Sequence, residues 1–244
     1  EDREDIKYAC ENGGEYLAIS FVSSKEDVLE IKELLKEYGR EDLQIICKIE
    51  SDLGINNVES ILRVSDGIMV ARGDLGTEIP SEKLPIVQKR LIKAARKMGK
   101  ICIVATEMLE TMMENVRPKR AETSDIANAV FDGTDAVMLS GETTIGKYPV
   151  GTISMMNKII ETSELDINYN ELSNKAMRTE NQDIIGSIAY SVVDCASRLK
   201  CIAIVTPTMS GYTAKKISRF RPNCPIIAIS PDVNTVKSLQ LLDY

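Results

Sequence analysis

Along the first part of the chain, short runs of consecutive apolar residues alternate with longer stretches in which apolar residues return every three or four positions. Such runs have the period of buried strands and such stretches that of amphipathic helices. Ile6 and Cys10 share a helical face that stops at Gly13-Gly14, and a strand is predicted from Tyr16 to Phe21. Ser24 is a good cap for a helix with Val28, Ile31, Leu34, Leu35 and Tyr38 inward, closed by Gly39. A strand from Gln44 to Ile49, a helix from about Ile55 to Val64 and a strand from Ile68 to Ala71 come next. Pro85 starts a helix with Val87, Leu91, Ala94, Ala95 and Met98 inward, and Ile101 to Ala105 reads as the fourth strand. A short helix after Met108 breaks near Pro118, because proline biases Arg117 away from helical geometry. A helix from about Arg120 to Phe131, a turn at Asp132-Gly133, a strand from Ala136 to Leu139 and a helix from Pro149 to about Glu164 complete the series.

Continuous apolar strands alternating with helices predict a parallel sheet covered on both faces. Each strand also ends in polar residues, as at Lys48-Ile49-Glu50, Arg72-Gly73-Asp74, Thr106-Glu107 and Ser140-Gly141-Glu142. Polar groups at successive strand ends are the mark of a barrel top. The predicted fold is α/β: a partial TIM (β/α)8 barrel of about five units over residues 1–164. From 165 to 181 the sequence turns polar and loses its period, which predicts a connection. Over 182–244 a strongly amphipathic helix marked by Ile184, Ile185, Ile188, Ala189, Val192, Val193 and Ala196 precedes a strand from Ile202 to Val205, a helix from Gly211 to Arg219 and a strand from Ile226 to Ile229. That order predicts a small three-layer α/β domain, incomplete at its end. The chain opens at Glu1 with no signal peptide and closes at Tyr244 without a clear stop, so both ends read as cut.

Composition narrows the chemistry. The 244 residues are 43% hydrophobic and 27% charged, enough for a core and without the signature of disorder or a membrane span. A formal charge of -7 and no basic face argue against nucleic acid as a partner. Six cysteines lie scattered without a CxxC pair, several inside strand-like runs, and are expected to be buried and reduced in a cytoplasmic protein. Histidine is absent, which removes the commonest general base and most zinc sites.

Glu50 and Asp74 end neighbouring predicted strands. At about 6 Å and an effective dielectric of 20 they would repel by roughly 3 kcal/mol. A divalent ion removes the problem, and hard carboxylates without histidine or clustered thiolates favour magnesium or manganese. Lys48 shares a strand face with Glu50, and spacing leaves two readings open: a cation facing a transferred phosphoryl group, or a plain ion pair at a rim. Gly73 allows close backbone approach to a ligand. The segment Gly141 to Lys147 has P-loop spacing, but Tyr148 stands where Ser or Thr should follow and Pro149 removes an amide. It reads instead as a barrel loop with Ser140 and Glu142 in support. The hydroxyl-rich loop Thr206 to Thr213, with Thr208, Ser210 and Gly211, reads either as a phosphate site or as a capped helix start.

Cys47-Lys48-Ile49-Glu50, Met69 to Gly76, Val104 to Leu109, Arg117 to Glu122 and Leu139 to Thr143, taken in order and spacing, resemble the pyruvate kinase family. The resemblance covers nearly all of the chain, and the second domain is similar to that family's C-terminal effector domain. It implies phosphoryl transfer from phosphoenolpyruvate to ADP, giving pyruvate and ATP in glycolysis. By the same resemblance Lys48 stabilises the transfer and Glu50 and Asp74 hold Mg2+ or Mn2+. Ala71, Arg72 and Gly73 help form the substrate pocket, Thr106 contacts substrate, and Ser140 joins Lys48 and Thr106 as a catalytic candidate. It also implies potassium, with ligands mostly outside this chain, a homotetramer, and a sugar-phosphate effector at Thr206, Thr208, Ser210, Gly211 and Thr213. Three residues depart from the pattern: Glu107 stands for the usual Gln, Cys47 for the frequent Ala and Ser23 for an Arg. The family's first three barrel strands and its inserted lid have no counterpart here. Two other readings stay open at this point: a different magnesium-dependent enzyme of phosphoenolpyruvate or pyruvate, and a non-catalytic sugar-phosphate-binding module.

Overall fold

A computed structural model describes residues 2–179 and 183–242. The chain divides into two compact units, one running through Ile167 apart from Arg96–Lys100, the other made of that segment and the residues from Asn168 onward.

In the first unit, α1 (Asp2–Asn12), β1 (Tyr16–Ile19), α2 (Lys25–Glu37), β2 (Gln44–Ile49), α3 (Asp52–Val64) and β3 (Gly67–Ala71) lead to α4 (Arg72–Glu78) and α5 (Leu84–Lys97). Then come β4 (Ile101–Ala105), a 3-10 turn at Glu110–Met113, α6 (Arg120–Asp132), β5 (Ala136–Met138), α7 (Gly141–Thr144) and α8 (Pro149–Glu164). Local chemistry sets many of these limits. Ser24 and Asp27 cap α2 reciprocally, Ser51 Oγ accepts from Gly54 N at 3.2 Å at the start of α3, and Gly133 ends α6 at φ 85°.

The five strands form one parallel sheet in the order β1-β2-β3-β4-β5. Spatial order therefore follows chain order with no reversal, the course of a barrel wall rather than of a doubly wound sheet, whose strand order turns back at a switch point. All residues of β3 and β4 are buried, as expected of strands covered on both faces. At the two edges, β1 and β5 are only partly covered. Gly67 starts β3 because nothing larger fits: a Cβ there would lie 2.7 Å from both Ile101 O and Ile46 Cδ1.

The second unit holds α9 (Tyr169–Thr179), α10 (Ile184–Leu199), β6 (Ile204–Pro207), α11 (Tyr212–Ser218), β7 (Ile226–Ile229) and α12 (Val233–Leu239). Strands β6 and β7 pair in parallel, and Ala189, Val193, Ile204, Ile217, Phe220 and Ile226 form the core of this unit.

Several expectations change. Residues 169–179 are a helix rather than part of an aperiodic connection, and Ser173 and Ala176 are buried on it. Residues 180–182 of that predicted connection lie outside the described residues. Strand β1 stops at Ile19, two residues early, because Phe21 takes a left-handed backbone (φ 53°) with its ring exposed. Strand β6 starts at Ile204, since Ile202 is 92% exposed. The cysteines are not uniformly buried either. Cys10, Cys47 and Cys102 are, but Cys195 and Cys201 are exposed and Cys224 is half-buried. No helix among the described residues is long and apolar enough to cross a membrane.

Candidate active site

Strand β2 carries Lys48 and Glu50 to the carboxyl edge of the sheet. Lys48 Nζ lies 2.7 Å from Glu50 Oε1 and donates to Ser20 Oγ at 3.0 Å. Glu50 is completely buried, and its Oε2 accepts from Phe21 N at 2.5 Å. Its Oε1 has the Lys48 ion pair but no aligned hydrogen bond among the described residues. A buried carboxylate needs a cation beside it, and here one oxygen is left with a charge partner of loose geometry. The left-handed Phe21 thus has a local purpose, since it turns an amide toward this carboxylate. Next to this pair, burial holds the Cys47 thiol in its neutral form by pushing its pKa up to about 12.

Strand β3 pairs with β2 through Ile49 and Val70, so Glu50 and the β3–α4 junction follow each other along one edge. Asp74 stands in the first turn of α4 and is exposed. Its carboxylate has no protein partner among the described residues. Ala71 is buried, and the Gly73 amide is taken: it donates to Thr106 Oγ1 at 2.8 Å. The glycine expected to approach a ligand through its backbone therefore approaches Thr106.

Thr106 and Glu107 leave β4 in the left-handed region, at φ 70° and 52°. Both are non-glycine residues, an arrangement that persists only where surrounding contacts enforce it. The enforcing contacts come from Arg72, which is 4% exposed. Its Nε and Nη2 donate to Thr106 O, Nη2 also to Glu107 O at 2.9 Å, and Nη1 pairs with Asp125 of α6. Arg72, read from sequence as a pocket residue, spends its guanidinium within the protein.

Ser140, beyond β5, has a buried hydroxyl with no hydrogen-bond partner among the described residues, while its amide donates to Glu142 Oε2 at 2.8 Å. Glu142 is buried and also accepts from Leu109 N at 3.2 Å, tying the loops after β4 and β5 together. In the second unit, Thr206 and Thr208 are buried, whereas Ser210 and Thr213 face outward. Gly211 precedes α11 at φ 76° and no side chain caps that helix. Ser20, Phe21 and Asp125 were not legible as site residues: Ser20 and Phe21 had only a position at the end of a strand as a signal, and Asp125, in the middle of α6, had none.

A parallel α/β sheet in barrel-wall order, with a lysine and a buried acid at the end of β2 and an exposed acid in the first turn after β3, is the class of arrangement found at a barrel rim. Comparison with known proteins is more particular. Residues 1–153 match the family model "Pyruvate kinase, barrel domain", and residues 186–243 match "Pyruvate kinase, alpha/beta domain". Proteins named pyruvate kinase from Bacillus licheniformis (48% identical, covering 99% of this chain), Clostridium perfringens (46%, 98%) and Methanocaldococcus jannaschii (45%, 99%) align along nearly all of it. The chain belongs to the pyruvate kinase family. It spans about half the length of those relatives, 41%, 51% and 53% respectively.

Proposed function

We propose that this chain supplies the Lys48 side of a site that transfers a phosphoryl group from phosphoenolpyruvate to ADP, yielding pyruvate and ATP in glycolysis, in the cytoplasm. The observation that carries the reading is the Lys48–Glu50 pair at the end of β2, with Asp74, whose carboxylate has no protein partner among the described residues, in the first turn after the neighbouring strand β3. Phosphoryl transfer asks for positioning and charge neutralisation more than for covalent chemistry, so a site without histidine can perform it. Residues 1–164 would belong to the barrel and 182–244 to an effector-type domain, with α9 of the intervening 165–181 packed into the second unit.

Glu50 and Asp74 have the hard oxygens that Mg2+ or Mn2+ prefers, and the loosely held Glu50 Oε1 and free Asp74 carboxylate are the donors left open for it. Bound there, the ion supplies positive charge against the phosphoryl and enolate oxygens. Lys48 adds a second positive charge on the same edge. Thr106 would orient the substrate, and the Ser140 hydroxyl is free to hold a water or a proton near the enolate. Potassium, a homotetrameric assembly and a sugar-phosphate effector belong to the same proposal.

The test uses a completed enzyme in which residues 1–244 replace the matching 241-residue segment of the Bacillus licheniformis relative. It is expected to turn over phosphoenolpyruvate and ADP only with Mg2+ or Mn2+, and Glu50→Gln with Asp74→Asn should abolish Mn2+ binding followed by electron paramagnetic resonance. Turnover that needs neither acid would remove the metal assignment. Retention of sugar-phosphate binding without any phosphoryl transfer would favour a binding module instead.

For the second unit, calorimetry with fructose bisphosphate on the same enzyme is expected to show affinity falling at least tenfold in Ser210→Ala and Thr213→Ala, the loss of a charge-assisted hydrogen bond being worth about 1.5–3 kcal/mol. Unchanged affinity in both would leave this loop a plain helix start.

A further inference from the structure

Arg72 is almost completely buried, and among the described residues its guanidinium is taken up by groups of the protein itself. Its planar fork gathers three acceptors from two other parts of the chain: the Thr106 and Glu107 carbonyls after β4, and the carboxylate of Asp125 on α6. Those two carbonyls point toward it because Thr106 and Glu107 are both left-handed, a backbone state that L residues with side chains avoid. The same turn aims Thr106 Oγ1 at Gly73 N, 2.8 Å away, while that hydroxyl donates to Ala105 O at 2.6 Å. The chain therefore closes a loop on itself: Arg72 holds the Thr106 turn, and Thr106 holds the amide next to Arg72. Asp74, the proposed metal ligand, is the residue after that amide.

We propose that Arg72 and Asp125 are a positioning clasp, which sets Thr106 and the β3–α4 junction carrying Asp74 in the geometry that phosphoryl transfer requires, without either residue touching substrate. Asp125 supplies the counter-charge that lets the guanidinium stay buried, its own side chain being 39% exposed against 5% for Arg72. Lysine cannot replace Arg72, because a point charge does not span a carboxylate and two carbonyls at once. Glu107, which is exposed, takes part through its carbonyl, so its side chain stays outside the clasp.

The functional part of this inference rests on the phosphoryl-transfer reading, and the experiment separates the two. In the completed enzyme, Asp125→Asn and Arg72→Lys are measured for kcat, KM, thermal midpoint and hydrogen exchange of peptides covering 71–76 and 105–109. The expected result is a kcat lower by about tenfold to a hundredfold, as a misplacement of about 1 Å produces, with KM for phosphoenolpyruvate within about threefold. Exchange should rise in those two peptides and not elsewhere, and Asp125→Glu, which keeps the charge, should recover most of the turnover. A kcat within twofold of the parent together with unchanged exchange in both peptides overturns the clasp. So does exchange that rises throughout the barrel in step with a lower thermal midpoint, because that is general destabilisation. If the parent enzyme transfers no phosphoryl group, the functional reading fails, and the local exchange response still decides whether the clasp holds the turn. Should Arg72→Lys not fold, Asp125→Asn at the half-exposed partner decides between these outcomes by the same measurements.

Discussion

Replacing Lys48 by Met in the completed enzyme is expected to lower kcat by about a hundredfold to a thousandfold, the loss seen when one preorganised group facing transition-state charge is removed. KM for phosphoenolpyruvate should stay within about threefold, since charge builds up as the phosphoryl group moves and the lysine acts on that change more than on the bound substrate. The structure explains why no neighbour can substitute. Lys48 is fixed by β2 with Met69 of β3 opposite it, and its ammonium is steered by Ser20 Oγ at 3.0 Å and Glu50 Oε1 at 2.7 Å. Arg72, a further cation at the end of the neighbouring strand, is committed to Thr106, Glu107 and Asp125. Methionine keeps the length of the side chain and removes the charge, so the fold of β2 should survive; a circular dichroism spectrum like the parent's is the control. Steady-state kinetics at saturating metal decide the matter. A rise in KM with kcat intact would make Lys48 a binding residue, and equal kinetics would leave only the ion pair at the rim.

The second large effect concerns residues 1–244 expressed alone, which are expected to show less than about one hundredth of the turnover of the completed enzyme. A closed barrel takes eight strands and about 250 residues. Among the described residues the sheet has five strands in open order, with β1 and β5 unpaired on their outer sides. Exposed edges and the uncovered inner face invite association, so size-exclusion chromatography should show oligomers or aggregate where a 27.0 kDa monomer would elute. The second unit carries its own uncovered apolar surface: Val205, Ile227 and Ile229 of its two strands are about half exposed or more. Turnover by this chain near that of the completed enzyme would show that the Lys48 edge needs no further strands to align the transferred group.

Much of this protein was written into local sequence. Apolar runs and three-to-four spacing located all five strands of the first unit to within two residues at each end, because a strand buried on both faces and a helix buried on one impose different periods on their own residues. The same-face placement of Lys48 and Glu50 followed from strand alternation alone, and their separation of 2.7 Å agrees with it. Family motifs in order and spacing were equally local, and the matches over 1–153 and 186–243 agree with them.

What only the tertiary structure decided are the contacts between residues far apart in the chain. Ser20 reaches Lys48 and Phe21 reaches Glu50 across 28 and 29 positions, and Arg72 reaches Thr106 across 34 and Asp125 across 53. No period records such a pairing. The left-handed Phe21, Thr106 and Glu107 belong here as well, since each is locally unfavourable and is held by a distant partner: Glu50 for the first, Arg72 for the other two. Helix α9 was missed in a stretch read as polar and aperiodic, yet its Ala176 lies in the core of the second unit, a contact that depends on which distant elements pack against it. The exposure of Cys195 and Cys201 was likewise undecidable from composition, for burial depends on which other elements arrive to cover a residue, and hydrophobicity along the chain states only what would gain from being covered.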